Sequence, residues 1–160
     1  MTPKCRRRAC IVLVVVMVLT LCFIFGNSLL SKEDSADRSG RIVALLKPLL
    51  DPNDKLTYDE FHMIVRKTAH FAEFAALGFE SALLAFFINR GLKLCGAIYS
   101  AGGCLLVADT DEFIQYFVDR GSMVTDVMLD FGGALFGIAV AFAAVYTVAK
   151  FKNKKGNSVA

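Results

Sequence analysis

Ionisable side chains recur inside stretches of this chain that are otherwise apolar. His70 and Glu73 lie one helical turn apart in one such stretch. Asp111 and Glu112 are adjacent in a second, and Asp130 is the charged residue of a third. An imidazole grouped with carboxylates can exchange protons, bind a polar ligand or hold a divalent metal ion. These residue types therefore point to a buried polar site, provided that the stretches carrying them meet.

The apolar stretches are long enough to cross a membrane. The chain has 160 residues, of which 56% are hydrophobic and 21% charged, whereas a soluble domain averages about 45–50% apolar and about 25% charged. A membrane span needs about 20 predominantly apolar residues. We therefore expect a single domain, residues 1–160, with an all-α fold: an integral membrane four-helix bundle with helices at about 9–26, 58–88, 94–117 and 127–149.

The first apolar block has an alternative interpretation. Ala9 to Gly26 is uncharged and follows a basic start, as in a cleavable signal peptide. However, the block exceeds the usual apolar core of about 7–15 residues, and no convincing small-x-small cleavage site follows it. We expect a retained first helix.

A long external loop, about 27–57, separates the first two predicted spans. Within it, the segment Ile42 to Leu50 repeats apolar residues on one helical face, which predicts a short helix lying in the membrane interface. Pro48 ends or kinks that helix. Thr57 and Glu60 form a capping-box pattern, so the second membrane helix should begin near Tyr58.

The basic residues predict an orientation. Cytoplasmic segments of membrane proteins carry an excess of Lys and Arg. One side of the predicted bundle receives basic residues without acidic ones, and both termini should therefore be cytoplasmic. These residues are Lys4, Arg6, Arg7, Arg8, Arg90, Lys93, Lys150, Lys152, Lys154 and Lys155.

Given that orientation, polar side chains from three helices should converge in the outer leaflet. A charged side chain at the helix centre costs at least about 2.5–3.5 kcal/mol on insertion scales, so each needs a reason to be there. Six carboxylates share this depth: Glu73, Asp109, Asp111, Glu112, Asp126 and Asp130. Four side chains could meet them: Arg66, Lys67, His70 and Arg120.

Structural explanations compete with functional ones at several of these positions. Asp126 could cap the fourth helix, Arg120 could be a solvated loop charge, and His70, Glu73 and Glu112 could belong to a salt-bridge network that joins the helices. Glu80 lies near mid-membrane without an obvious cationic partner.

Several other classes of protein are not indicated. The five cysteines lack paired CxxC spacing, which argues against zinc fingers and disulfide scaffolds. No cofactor- or phosphate-binding loop and no regular metal-ligand spacing is present, so we expect neither a cofactor nor a bound metal. The basic residues follow from membrane topology, and nucleic-acid binding is not expected.

Three segments resemble the VanZ-like family, small bacterial membrane proteins named for a member that lowers susceptibility to teicoplanin. The segments read FIFGNS (23–28), RKTAHFAEFAALGF (66–79) and DEFIQYFVDRGSMVTDVMLDFGGALFG (111–137). The family pattern falls on Lys67, His70, Phe71, Glu73, Phe74, Asp111, Glu112, Gln115, Arg120, Asp126, Asp130 and Gly133. One departure is the turn before Arg120, where this chain has only Asp119 in place of a Pro-Gly or similar pair.

The resemblance implies a protein of the bacterial cell membrane, without an established reaction. Some relatives carry a phosphotransbutyrylase label, which describes a soluble enzyme class and which this sequence does not support. We expect a non-enzymatic envelope protein that modulates teicoplanin susceptibility by binding a lipid-linked or glycopeptide ligand, or a partner. The candidate ligand-binding residues are Lys67, His70, Glu73, Asp111, Glu112, Gln115, Arg120, Asp126 and Asp130.

Two alternatives remain open at this point. The first is an intramembrane enzyme acting on a lipid-linked envelope substrate, with His70, Glu73 and Glu112 as candidate catalytic residues or as ligands of an assisting Zn²⁺ or Mn²⁺ ion. The second is a proton- or ion-coupled transporter. Four helices are few for a transporter, and the sequence has no internal repeat of the kind that transporters show. The oligomeric state is not indicated by the sequence.

Overall fold

The fold is helical throughout the part of the chain that the structure, a computed structural model, describes: residues 2–91, 93–118, 120 and 123–157. The helices of this part are α1 (Pro3–Ser28), α2 (Lys32–Leu50), α3 (Tyr58–Asn89), α4 (Leu94–Phe117) and α5 (Val124–Asn157). The all-α prediction is confirmed. The turn around Asp119 and the side chains of Lys152, Lys154 and Lys155 lie outside the described residues.

Three of these helices are long and apolar enough to cross a membrane by length and composition: α1, α3 and α5. Helix α4 spans the residues predicted for it but is not among the three, since Asp109, Asp111 and Glu112 make its last third polar. The chain is therefore a membrane protein by its apolar helices, whereas the four-span count stays a prediction.

The helix ends follow local signals. The capping box at the start of α3 is present, with Thr57 Oγ1 accepting from the Glu60 amide and the Glu60 carboxylate accepting from the Thr57 amide. Helix α1 begins earlier than predicted, at Pro3, because Thr2 caps it and proline is favourable in the first turn.

The predicted external loop is mostly helix. Helix α2 begins at Lys32, where Ser31 caps it and acidic residues in the first turn favour the helix N-terminus. It contains Pro48 and ends at Leu50, so it covers the segment predicted to be interfacial and extends ten residues further toward the N-terminus. The position of α2 relative to a membrane stays a prediction.

Contacts between the helices define their directions. Helix α1 is antiparallel to α3, because Thr20 bonds to Glu80 whereas Asn27 bonds to Glu73. Helix α4 is also antiparallel to α3, since His70 faces Asp111 and Ser81 contacts Cys104. Helices α3 and α5 run parallel, with the most extensive contact of any helix pair.

Glycines allow α3 and α5 to pack backbone against backbone. A Cβ atom on Gly133 would overlap the Phe71 carbonyl group, and one on Gly137 would overlap that of Ala75. On the other helix, a Cβ on Gly78 would overlap the Ala134 carbonyl group. Small residues permit such close approach between helices in membranes. We call these contacts, over Phe71–Gly78 and Gly133–Gly137, the glycine seam.

Candidate functional site

A group of polar side chains gathers at the end of the bundle where α3 and α5 begin and α1 and α4 end. Its contributors are half-buried or buried although the surrounding helices are apolar. We define this polar cluster as the nine predicted ligand-binding residues: Lys67, His70, Glu73, Asp111, Glu112, Gln115, Arg120, Asp126 and Asp130. The structure brings all nine to the same end of the molecule.

Asp111 lies at the centre of the cluster with no solvent exposure. Its Oδ1 accepts a hydrogen bond from Ser28 Oγ on α1, and its Oδ2 accepts one from Gln115 Nε2 at 2.8 Å. Ser28 is itself fully buried. The Asp111 carboxylate is therefore held in one orientation by donors from two helices.

His70 stands between two buried carboxylates. Its Nδ1 atom is 4.0 Å from Asp111 Oδ2 and 3.9 Å from Asp130 Oδ1. Among the described residues, neither carboxylate oxygen of Asp130 has a hydrogen-bond partner, although Asp130 is only 1% exposed. His70, Asp111 and Asp130 are thus the residues that could hold a metal ion, with one ligand-type atom from each within 4.8 Å of the others.

The sequence candidates Glu73 and Glu112 have different neighbours. Glu73 Oε1 accepts from Asn27 Nδ2 at 3.3 Å, on the side of α1. Glu112 is buried, and its Oε2 accepts from the Met123 amide at 3.2 Å, just before α5 begins. The carboxylates beside the His70 ring include those of Asp111 and Asp130.

Arg120 is anchored in the cluster. Its Nη1 donates to the Asn27 carbonyl oxygen at 2.8 Å. Partial burial, followed by the neighbouring charge of Arg66, lowers the pKa of Arg120. A cation in that setting favours an additional anion beside it.

Lys67 and Asp126 close the cluster at its outer rim. Lys67 Nζ is 3.1 Å from Asp126 Oδ1, so this carboxylate forms an ion pair with α3 in addition to its favourable place in the first turn of α5. Both side chains are partly exposed.

Two of the predicted polar residues lie elsewhere. Asp109 is exposed on α4 whereas Asp111 and Glu112 are buried, so five of the six expected carboxylates belong to the polar cluster. Glu80 lacks a described cationic partner but faces a polar group of another helix, since its Oε1 accepts from Thr20 Oγ1 on α1 at 3.0 Å.

Asn27 and Ser28 are site residues whose roles sequence reasoning missed. Asn27 contacts Glu73, Arg120 and Arg38, the last through Arg38 Nη1 to its Oδ1 at 3.2 Å. The available signal was a polar Asn-Ser pair at the end of the first apolar block, within the FIFGNS segment.

Two cavities adjoin the cluster, each with a volume of about 260 Å³. The first lies among α3, α4 and α5, and Arg66, Lys67 and Asp130 are part of its lining. The second lies beneath α2, where Phe23, Leu30 and Ile42 supply apolar lining. Both cavities share the side chains of Arg66, His70 and Arg120.

Comparison with known proteins adds one match. A family model described as VanZ/LLP1 matches residues 10–146, a range that contains the whole polar cluster and the glycine seam. No curated protein and no solved structure matches the chain.

Proposed function

Because the chain belongs to the VanZ/LLP1 family, we propose that it is a multi-pass protein of the bacterial cell membrane that modulates teicoplanin susceptibility. Its polar cluster faces outward and binds a lipid-linked or glycopeptide ligand, or a partner. The finding that carries this proposal is the pair of adjoining cavities, one polar and charged, the other partly apolar.

The helix directions support the proposed topology. Two parallel helices that both cross a membrane require a crossing between them, and α4 is the connection between the parallel helices α3 and α5. Arg6 and Arg90 line one surface near the start of α1 and the end of α3. The positive-inside rule favours the cytoplasmic side for this basic end, which supports the proposed outward polar cluster and cytoplasmic termini.

The two cavities suit an amphipathic ligand. Arg66, Lys67 and Arg120 offer positive charge to a phosphate or carboxylate group in the first cavity. The second cavity offers apolar side chains beneath α2 that could contact an acyl chain. Teicoplanin carries a fatty acyl chain on a polar glycopeptide, and lipid-linked envelope precursors combine the same two features.

Drug susceptibility tests this proposal. A Gram-positive host would express the wild type, His70→Ala, Glu112→Gln or the control Asp109→Asn, with membrane levels compared by immunoblot. We expect teicoplanin tolerance to rise with the wild type and with Asp109→Asn, and to be lost in the two cluster variants at equal expression. A wild type without effect, or cluster variants as protective as the wild type, would contradict the proposal.

A second candidate function is an intramembrane enzyme acting on a lipid-linked envelope substrate. The observation favouring it is the Asp130 carboxylate, which lies buried beside His70 Nδ1 and has no hydrogen-bond partner in the part of the chain that the structure describes. An imidazole positioned by carboxylates is suited to remove a proton from an attacking group.

Mass spectrometry distinguishes this alternative. Purified protein would be incubated with extracted envelope lipids and the products compared with those of Asp130→Asn. A product formed by the wild type and by Gly132→Ala, and absent with Asp130→Asn, would establish an enzyme. Identical lipid profiles for all three proteins would exclude turnover of the lipids present.

A further inference from the structure

The junction of α3, α4 and α5 contains three side chains whose ligand-type atoms lie close together, and two of them, His70 and Asp130, have buried atoms without a hydrogen-bond partner among the described residues. His70, Asp111 and Asp130 come from the three different helices, and their ligand-type atoms lie within 4.8 Å of one another. Unlike ordinary surface carboxylates, Asp111 and Asp130 are buried, with exposed fractions of 0% and 1%.

Asp130 lacks the donors that a buried carboxylate normally has. Within the described part of the chain, both of its oxygens and His70 Nδ1 are buried without a hydrogen-bond partner. Burying an unpaired charge is costly, and more so at membrane depth. An ionised Asp130 would therefore need an opposite charge close to its carboxylate.

A proton shared directly with His70 does not fit the distances. His70 Nδ1 is 3.9 Å from Asp130 Oδ1, whereas hydrogen bonds of this kind span about 2.7–3.2 Å. A metal ion bound at about 2.0–2.2 Å by each ligand would hold two tetrahedral ligands roughly 3.4 Å apart. The two distances from His70 Nδ1 would need to shorten by about half an ångström to reach that geometry, and the third distance, which is within 4.8 Å, by at most about 1.4 Å.

The charges around the group also favour a bound cation. The polar cluster has five described carboxylates, and the described Lys and Arg side chains that line its two cavities are Arg38, Arg66, Lys67 and Arg120. Lys67 is already engaged with Asp126, and Arg120 with the Asn27 carbonyl oxygen. Carboxylates that lack such a partner favour a cation beside them.

Neighbouring residues orient the group as the outer shell of a metal site does. Ser28 and Gln115 donate to the Asp111 carboxylate from α1 and α4, and such hydrogen bonds fix the direction of a ligating oxygen. His70 and Asp130 both line the first cavity. An ion held between them would have open coordination positions facing that cavity, where water or a ligand could bind.

We propose that His70 Nδ1, Asp111 Oδ2 and Asp130 Oδ1 bind one divalent transition-metal ion, Zn²⁺ or Mn²⁺. One imidazole with two carboxylates is a donor set that both ions accept. The inference rests on the polar cluster being the working site of the proposed function, to which it adds a cation that can contact a phosphate or carboxylate group. Metal binding is nevertheless measured without drug or lipid, so each idea can fail separately.

Metal content tests the proposal directly. Full-length protein purified in detergent would be stripped with EDTA, equilibrated with Zn²⁺ or Mn²⁺, gel-filtered and analysed by mass spectrometry of the elements. We expect about one ion per chain for the wild type, and affinity at least about tenfold weaker for Asp130→Asn and His70→Ala. The outer-shell variant Gln115→Ala should weaken binding by about tenfold. The control Asp109→Asn alters an exposed carboxylate on α4, the helix that carries Asp111, and this variant should bind the metal ion like the wild type.

A second readout protects the test against misfolded variants. Co²⁺ bound to the stripped wild type should give visible absorption bands that titrate to about one equivalent and disappear in Asp130→Asn that elutes as the wild type does. A wild type that retains neither Zn²⁺ nor Mn²⁺ would overturn the proposal. Binding reduced equally by Asp109→Asn and Asp130→Asn would also overturn it.

Discussion

The same two helices, α3 and α5, meet in two contrasting ways within a few turns of each other. At the glycine seam, backbone packs against backbone without polar side chains, as at Gly137 and Ala75. One to two turns away, His70 and Asp130 face each other at 3.9 Å, with buried atoms that have no hydrogen-bond partner among the described residues. The close packing at the seam is expected to stabilise the fold, whereas the buried charges of the polar cluster are expected to destabilise it.

This contrast separates folding from function. Close packing of small residues holds membrane helices together, so the seam can fix the relative positions of α3 and α5. The unpaired carboxylate of Asp130 contributes no such stability and is expected to reduce it. A chain that keeps a destabilising group beside a rigid seam is best explained if that group binds something.

The largest effect should come from filling the seam. Gly137→Ala places a methyl group against the Ala75 carbonyl, and overpacking costs about 3 kcal/mol at the upper end of its usual range. We expect the thermal midpoint in detergent to fall by roughly 6–12 °C.

The matched control is Gly132→Ala, because its Cβ would meet nothing within 4 Å. That variant should melt at or above the wild-type temperature, since alanine favours a helix by about 1 kcal/mol over glycine. Equal melting of both alanine variants would contradict the account of the seam.

A smaller loss should follow removal of the donor to Asp111. Ser28→Ala leaves the buried Asp111 Oδ1 without its hydrogen bond, which costs about 1–3 kcal/mol. Thermal unfolding measures this loss. Thr110→Ala serves as the control, since Thr110 bonds to the Leu106 carbonyl on an exposed surface without any buried carboxylate. A Ser28 variant that unfolds like the Thr110 variant would show that Asp111 does not depend on Ser28.

The smallest effect should come from the outer rim of the cluster. Lys67 is 42% exposed in its ion pair with Asp126, and exposed pairs contribute about 0–1 kcal/mol. Lys67→Gln should therefore shift the melting temperature by less than about 3 °C. A fall in melting temperature as large as that of Gly137→Ala would contradict this account, because it would show that the polar cluster contributes strongly to stability.

Much of this arrangement could be predicted from the sequence. The capping box predicted that α3 begins at Tyr58, as the structure shows. The helical spacing and membrane depth of the polar residues predicted that His70 lies near Asp111 and Asp130, as it does. These predictions succeeded because helical rise and periodicity convert residue number into depth and face.

Other features required the structure because they depend on partners between helices. Periodicity put Asp109 at the depth of the cluster, but the packing of α4 leaves it exposed. Gly133 and Gly137 form a small-xxx-small pattern that identifies no partner until Phe71 and Ala75 are seen against them. Metal-ligand spacing likewise gave no signal, because the ligand-type atoms come from three separate helices.

Thermal unfolding of Asp130→Asn in the presence of EDTA tests most directly whether the polar cluster serves function at the expense of stability. An amide in place of a buried, unpaired carboxylate removes an uncompensated charge. We predict a melting temperature equal to or above that of the wild type. A fall as large as that caused by Gly137→Ala would show that Asp130 is part of a structural network, and would contradict the account.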